Sequence, residues 1–85
     1  MSVHKAITKL TTEHNKIATK FADLEKRREQ YIEESVALCQ QNIPFTTEKI
    51  NAVTNEMNDL ARSGVVPTRE LVSVEMVKEY VNKLN

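Results

Sequence analysis

Histidine and cysteine side chains are the first candidates for metal ligands, and this 85-residue chain has three of them: His4, His14 and Cys39. Zinc sites require several such ligands at regular spacing, as in the His-Glu-x-x-His motif of a helix, and no such motif occurs here. On one helix, His4 and His14 would stand about 15 Å apart along the axis, too far to share one ion. The spacing therefore predicts no metal site.

The sequence also lacks the features of a catalytic site. A reactive thiol needs basic neighbours or a helix N-terminus, whereas Cys39 follows Val36 and Leu38 near the expected C-terminal end of a helix. With a single glycine, the chain has neither a Gly-rich phosphate loop nor a nucleophile elbow. We therefore expect no enzyme activity, no cofactor and no small-molecule ligand.

The charge pattern argues against nucleic acid as the main partner. Twelve Lys and Arg balance twelve Asp and Glu, whereas proteins that bind phosphate backbones usually carry a basic excess. Four lysines form a mild basic stripe near the N-terminus with only Glu13 against them: Lys5, Lys9, Lys16 and Lys20. Such a stripe is typical of a solvated helix face.

Residues 60–84 resemble a degenerate helix-turn-helix motif. Ala61, Gly64 and Ser73 stand where such motifs often have a small residue, a turn glycine and the cap of the recognition helix. The spacing from Ala61 to Gly64 is one residue short, and residues 67–71 lengthen the turn. A nucleic-acid-binding accessory protein therefore stays as an alternative function.

The helical elements follow from breakers and caps. Residues 1–41 contain neither glycine nor proline, and apolar residues recur there at alternating spacings of three and four, which predicts a helix at about 3–41. Thr46 and Ser73 are good N-caps, and Gly64 is a good left-handed stop, so we expect further helices at about 47–62 and 73–84. The sequence thus predicts one all-α domain over residues 1–85, a helical hairpin or three-helix bundle.

The heptad positions of the first helix form a stripe that we call the seam. A seam of this kind is typical of a coiled coil, and its N-terminal half looks too long for two short helices to cover. We expect a homodimer through the region from Val3 to Phe21, and the third helix either folds back or extends along the first. The seam comprises eight residues: Val3, Ile7, Leu10, His14, Ile17, Phe21, Leu24 and Arg28.

The expected location is the cytoplasm, without membrane attachment. No apolar run approaches the roughly 20 residues that span a bilayer, and the N-terminus lacks the apolar stretch of a signal peptide. A single cysteine also fits a reducing compartment.

Several strings of the chain resemble one known family. They are the opening at residues 2–9, Tyr31-Ile32-Glu33-Glu34, Pro44-Phe45-Thr46-x-Glu48-Lys49-Ile50-Asn51, and the tail from Val66 to Val77. The chain is similar over nearly its whole length to an uncharacterised family of small cytoplasmic proteins from Bacillus and its relatives. The resemblance implies a bacterial cytosolic origin but no activity and no functional residues.

The function that these observations favour is a small helical protein–protein interaction module, a regulator or adaptor that self-associates through its first helix. An unidentified protein could be a further partner. The alternatives are the nucleic-acid-binding accessory protein described above and a purely structural oligomer.

Overall fold

The computed structural model describes the backbone of residues 3–84 and the side chains of residues 12–84. It contains three helices, α1 (Val3–Gln40), α2 (Glu48–Ala61) and α3 (Val74–Leu84), and no strand among those residues. Each helix end lies within one residue of the sequence prediction. The all-α fold with one long and two shorter helices is therefore confirmed.

Helix α1 ends in a Schellman motif that the sequence analysis missed. Asn42 has a left-handed backbone with φ of 60°. The amide of Ile43 donates to the carbonyl of Leu38 at 2.9 Å, and that of Asn42 donates to Cys39 at 3.0 Å. These are the two backbone bonds that define the motif. The chain consequently reverses before Pro44, and α2 can start beside α1.

The two ends of α2 differ from the predicted ones in detail. The N-cap is Thr47 rather than Thr46, and its side chain makes no capping bond; Asn51 Nδ2 instead donates to Thr47 Oγ1 at 3.4 Å. At the other end, Gly64 takes the expected left-handed conformation with φ of 79°. The amides of Arg62, Ser63 and Gly64 each donate to the carbonyl three residues earlier, so this stop is a tightened turn.

Helices α1 and α2 form an antiparallel hairpin around a small core. Phe21 and Leu24 of α1 pack against Val53 and Met57 of α2. Burial of such side chains contributes roughly 1.5–3 kcal/mol each. Partly buried hydrophobic residues surround this cluster: Tyr31, Leu60 and Val66.

Residues 65–73 return along the hairpin as an extended segment, which we call the strap. Ser73 caps α3 as predicted, because its hydroxyl accepts the amide of Met76 at 3.2 Å. Helix α3 then folds back onto the C-terminal half of α1 and buries Val77 and Val81.

The degenerate helix-turn-helix considered as an alternative at residues 60–84 is not formed. Twelve residues separate α2 from α3, and within the described chain no Cα atom of α2 lies within 8 Å of one in α3. A helix-turn-helix instead packs its two helices together across a turn of 3–4 residues. The strap holds α3 on α1, because it carries the chain back along the hairpin before α3 begins.

Helix α1 extends well beyond the elements that pack on it. It has 38 residues against 14 in α2, and the molecule measures 61 × 20 × 16 Å. Phe21 is buried, whereas residues 12–20 are exposed except for the half-buried Ile17. We call residues 3–20 the stalk and residues 21–84 the head.

Candidate interaction site

Two asparagines of α2 fasten the strap by its backbone. Asn58 Nδ2 donates to the carbonyl of Arg69 at 3.0 Å, and Asn58 Oδ1 accepts its amide at 2.7 Å. Asn51 binds Val72 in the same way: its Nδ2 donates to the carbonyl of Val72 at 2.9 Å, and its Oδ1 accepts the amide of Val72 at 2.8 Å. Seven residues of helix rise about 10.5 Å, and three residues of extended chain span about 10 Å. The matched spacings let two side chains on one helix face pair with the strap as a neighbouring strand would.

Arg28 ties the strap to both helices of the hairpin. Its Nε donates to Thr54 Oγ1 at 2.9 Å, and its Nη2 donates to the carbonyl of Glu70 at 2.9 Å. Thr54 is fully buried, and its hydroxyl donates to the carbonyl of Ile50 at 2.8 Å. The guanidinium thus satisfies acceptors on α2 and on the strap simultaneously, which a Lys side chain could not do in this geometry.

Arg69 closes the head at the edge where the stalk begins. Its Nη2 and Nε donate to Glu25 Oε1 at 2.8 and 3.1 Å, and its guanidinium lies 5.3 Å from the centre of the Phe21 ring. Both partners of this ion pair are about one-third exposed, so it contributes at most about 1 kcal/mol. The stacking covers Phe21 and marks the boundary between head and stalk.

The structure divides the seam into two parts. Phe21 and Leu24 lie in the core of the head, and Arg28 bonds to the chain's own α2 and strap, so these three side chains do not form a free surface. His14 and Ile17 lie on the stalk, the first exposed and the second half-buried. The side chains of three further seam residues lie outside the described residues: Val3, Ile7 and Leu10.

Helix α3 has a packed face and, directly beside it, an exposed apolar ridge. Val77 and Val81 face the head and are 3% and 5% exposed. Met76, Tyr80 and Leu84, which we call the α3 stripe, are 41%, 54% and 54% exposed. Their spacing of four residues places them along one line of the helix. The sequence predicts a packed face of Val74, Val77, Val81 and Leu84 with Met76 and Tyr80 beside it; Val77 and Val81 are buried as predicted, whereas Leu84 at the helix end is exposed.

A depression of the described surface lies where the end of α1, residues 42–45 and α3 meet. It is an open groove of about 800 Å³ whose wall includes the half-buried Cys39, with Ile43, Lys78 and Val81 among its other lining residues. In the part of the chain with described side chains, no three His, Cys, Asp or Glu residues are grouped as a metal site. None of the described helices is long and apolar enough to cross a membrane.

These features define a class of small all-α protein in which a strapped helical hairpin carries a projecting helix. The chain belongs to a family described as protein of unknown function (DUF2533), whose sequence profile matches residues 1–83. The uncharacterised protein YpbS of Bacillus subtilis (strain 168) is 49% identical over 82 residues, which cover 96% of each chain. No solved structure is significantly similar. The resemblance to an uncharacterised Bacillus family is thus confirmed.

Proposed function

We propose that this protein is a small helical interaction module that self-associates as a homodimer through its stalk. The observation that carries the proposal is the place along α1 where the folded head ends. Phe21 is buried in the head and Ile17 is half-buried, whereas α1 and its heptad pattern continue toward Val3.

The character of the stalk supports this function. Ile17 is its apolar seam residue with a described side chain, and the polar residues around it are exposed. Apolar residues at Val3, Ile7 and Leu10 continue the same heptad positions in the sequence. A contiguous apolar stripe outside a folded body is usually an interaction surface, and most soluble oligomers are symmetric assemblies of one chain.

In this proposal, the head holds the part of α1 from which the stalk projects. The strap bonds through its backbone to α2 and through the carbonyl of Glu70 to Arg28 of α1, and Arg69 of the strap pairs with Glu25 near the point where α1 leaves the head. A regulator or adaptor of this kind works by presenting a helix rather than by chemistry at a cavity. We place it in the cytoplasm, in keeping with its single cysteine.

The proposal is tested by one charged substitution on the seam and one matched control off it. Ile17→Glu places a carboxylate in the interface, whereas Thr19→Glu adds the same charge at an exposed stalk position off the heptad stripe. Sedimentation equilibrium should show dimers for wild type and Thr19→Glu, and monomers for Ile17→Glu. Equal association of the two variants would refute the choice of surface.

A further inference from the structure

We infer that the stalk of one chain docks on the α3 stripe of a second copy. This inference rests on the proposed function and goes beyond it, because it names the surface that receives the stalk. The seam of one stalk can pair with the seam of a second stalk or with another apolar face. The two arrangements differ in the charges that they bring together and in the residues that form the contact.

The α3 stripe is the apolar face that the head leaves unpartnered. Met76, Tyr80 and Leu84 are among the most exposed large hydrophobic residues of the described chain. The buried Val77 and Val81 fix the orientation of α3, so the stripe is held toward solvent by the packing itself. A helix of about 27 Å, the length of the stalk, is more than long enough to cover the roughly 16 Å of α3.

The charges of stalk and head favour this arrangement over pairing of two stalks. Residues 3–20 carry four lysines and one glutamate, a net charge of +3 at pH 7 with neutral histidines. Residues 21–84 carry eight Lys or Arg and eleven Asp or Glu, a net charge of −3. Two stalks side by side therefore repel each other, whereas a stalk beside the head of a second copy is attracted.

Helix α3 carries two glutamates and two lysines, so its own charge is balanced. Glu75 and Glu79 lie on α3 next to the stripe, are exposed, and form no ion pair with a described residue. Lys16 and Lys20 are exposed on the stalk. Lys78 and Lys83 of α3 balance these two glutamates, so the attraction comes from the acidic excess of the whole head.

The arrangement closes into a symmetric dimer. Each chain contributes one stalk and one α3 stripe, so a two-fold axis produces two identical contacts and leaves neither face open. Because each contact joins two different surfaces, a variant that lacks a working stalk and a variant that lacks a working stripe should complement each other.

Complementation of two variants is the decisive experiment. Ile17→Glu damages the stalk, and Tyr80→Glu damages the stripe at a residue that is 54% exposed and outside the core. We expect each full-length variant alone to sediment as a monomer and an equimolar mixture to form a heterodimer, weaker than the wild-type dimer because one of its two contacts remains. Asn82→Glu adds the same charge at an exposed position off the stripe and should leave the dimer intact.

The possible outcomes distinguish failure of this inference from failure of the proposed function. If Tyr80→Glu dimerises as wild type does while Ile17→Glu is monomeric, the stalk pairs with a stalk: the inference fails and the proposed function stands. If wild type itself is monomeric, both fail.

Circular dichroism checks that the variants fold, and Met76→Glu repeats the test should Tyr80→Glu unfold. Added NaCl should weaken the dimer, whereas strengthening by salt would contradict attraction between stalk and head.

Discussion

Asn58 and Arg69 form a two-point contact in which one side-chain amide binds both the backbone amide and the backbone carbonyl of a residue eleven positions away. Together with the matching pair of Asn51 and Val72, this contact fixes the path of the strap. The path of the strap in turn determines where α3 begins and where it packs on α1. Much of the surface of the head thus depends on two amide side chains of α2.

Replacing Asn58 with alanine should destabilise the head by about 1–2 kcal/mol, because the amide and carbonyl of Arg69 both lose their partner in a half-buried position. Asn55→Ala is the matched control: it makes the same change at an exposed position of α2 and gains helix propensity. Urea denaturation followed by circular dichroism measures both. The Ile17→Glu background keeps association out of the measured stability. Equal losses for the two variants would show that the contact is not stabilising.

Arg28→Lys should also cost about 1–2 kcal/mol, because an ammonium group does not reproduce the forked contact with Thr54 Oγ1 and the Glu70 carbonyl. Arg27→Lys makes the same exchange at the neighbouring exposed position and should be nearly neutral. The same denaturation assay applies to this pair. A fully stable Arg28→Lys protein would mean that charge alone holds the strap at this point.

Much of this fold is predictable from the sequence, and the helix limits show why. Breakers and caps act locally: Pro44, Gly64 and Ser73 each determine the backbone within a few residues, and the helices end within one residue of the expected positions. The left-handed backbone of Asn42 was not predicted, because asparagine adopts this conformation much less often than glycine does. The confirmed family resemblance added no function, since the family is described as one of unknown function and the relative as uncharacterised.

The interaction site was less predictable because it depends on contacts between distant residues. The heptad pattern runs from Val3 to Arg28 without a break, yet the structure divides it at Phe21, where the strap returns and Arg69 covers the ring. Nothing local to Arg28 indicates that its partners lie 26 and 42 residues away. Likewise, the pairing of Asn51 and Asn58 with the strap requires the antiparallel course of a segment that has no regular pattern of its own.

The left-handed residue at the end of α1 gives a prediction with opposite outcomes for two substitutions. Asn42→Ala should destabilise the head by about 1 kcal/mol, because alanine is strained at a φ of 60°, whereas Asn42→Gly should be neutral or slightly stabilising. Thermal or urea unfolding of the two variants checks this. A neutral alanine substitution would show that the Schellman motif is not important for stability.

Gly64 should behave in a parallel way at the end of α2. Gly64→Ala should cost about 1 kcal/mol through backbone strain alone, because φ is 79° and no atom lies within 4 Å of the added Cβ. Gly64→Asn should lose less, since asparagine tolerates this conformation better. A neutral Gly64→Ala substitution would show that the left-handed backbone at this position does not contribute to stability.

Self-association through the stalk is the central claim, and the absolute mass of the wild-type protein in solution tests it most directly. Light scattering after size exclusion, from low to high micromolar chain concentration, should give twice the 9.7 kDa mass of the chain at the upper end. A mass of one chain at every concentration would contradict the claim.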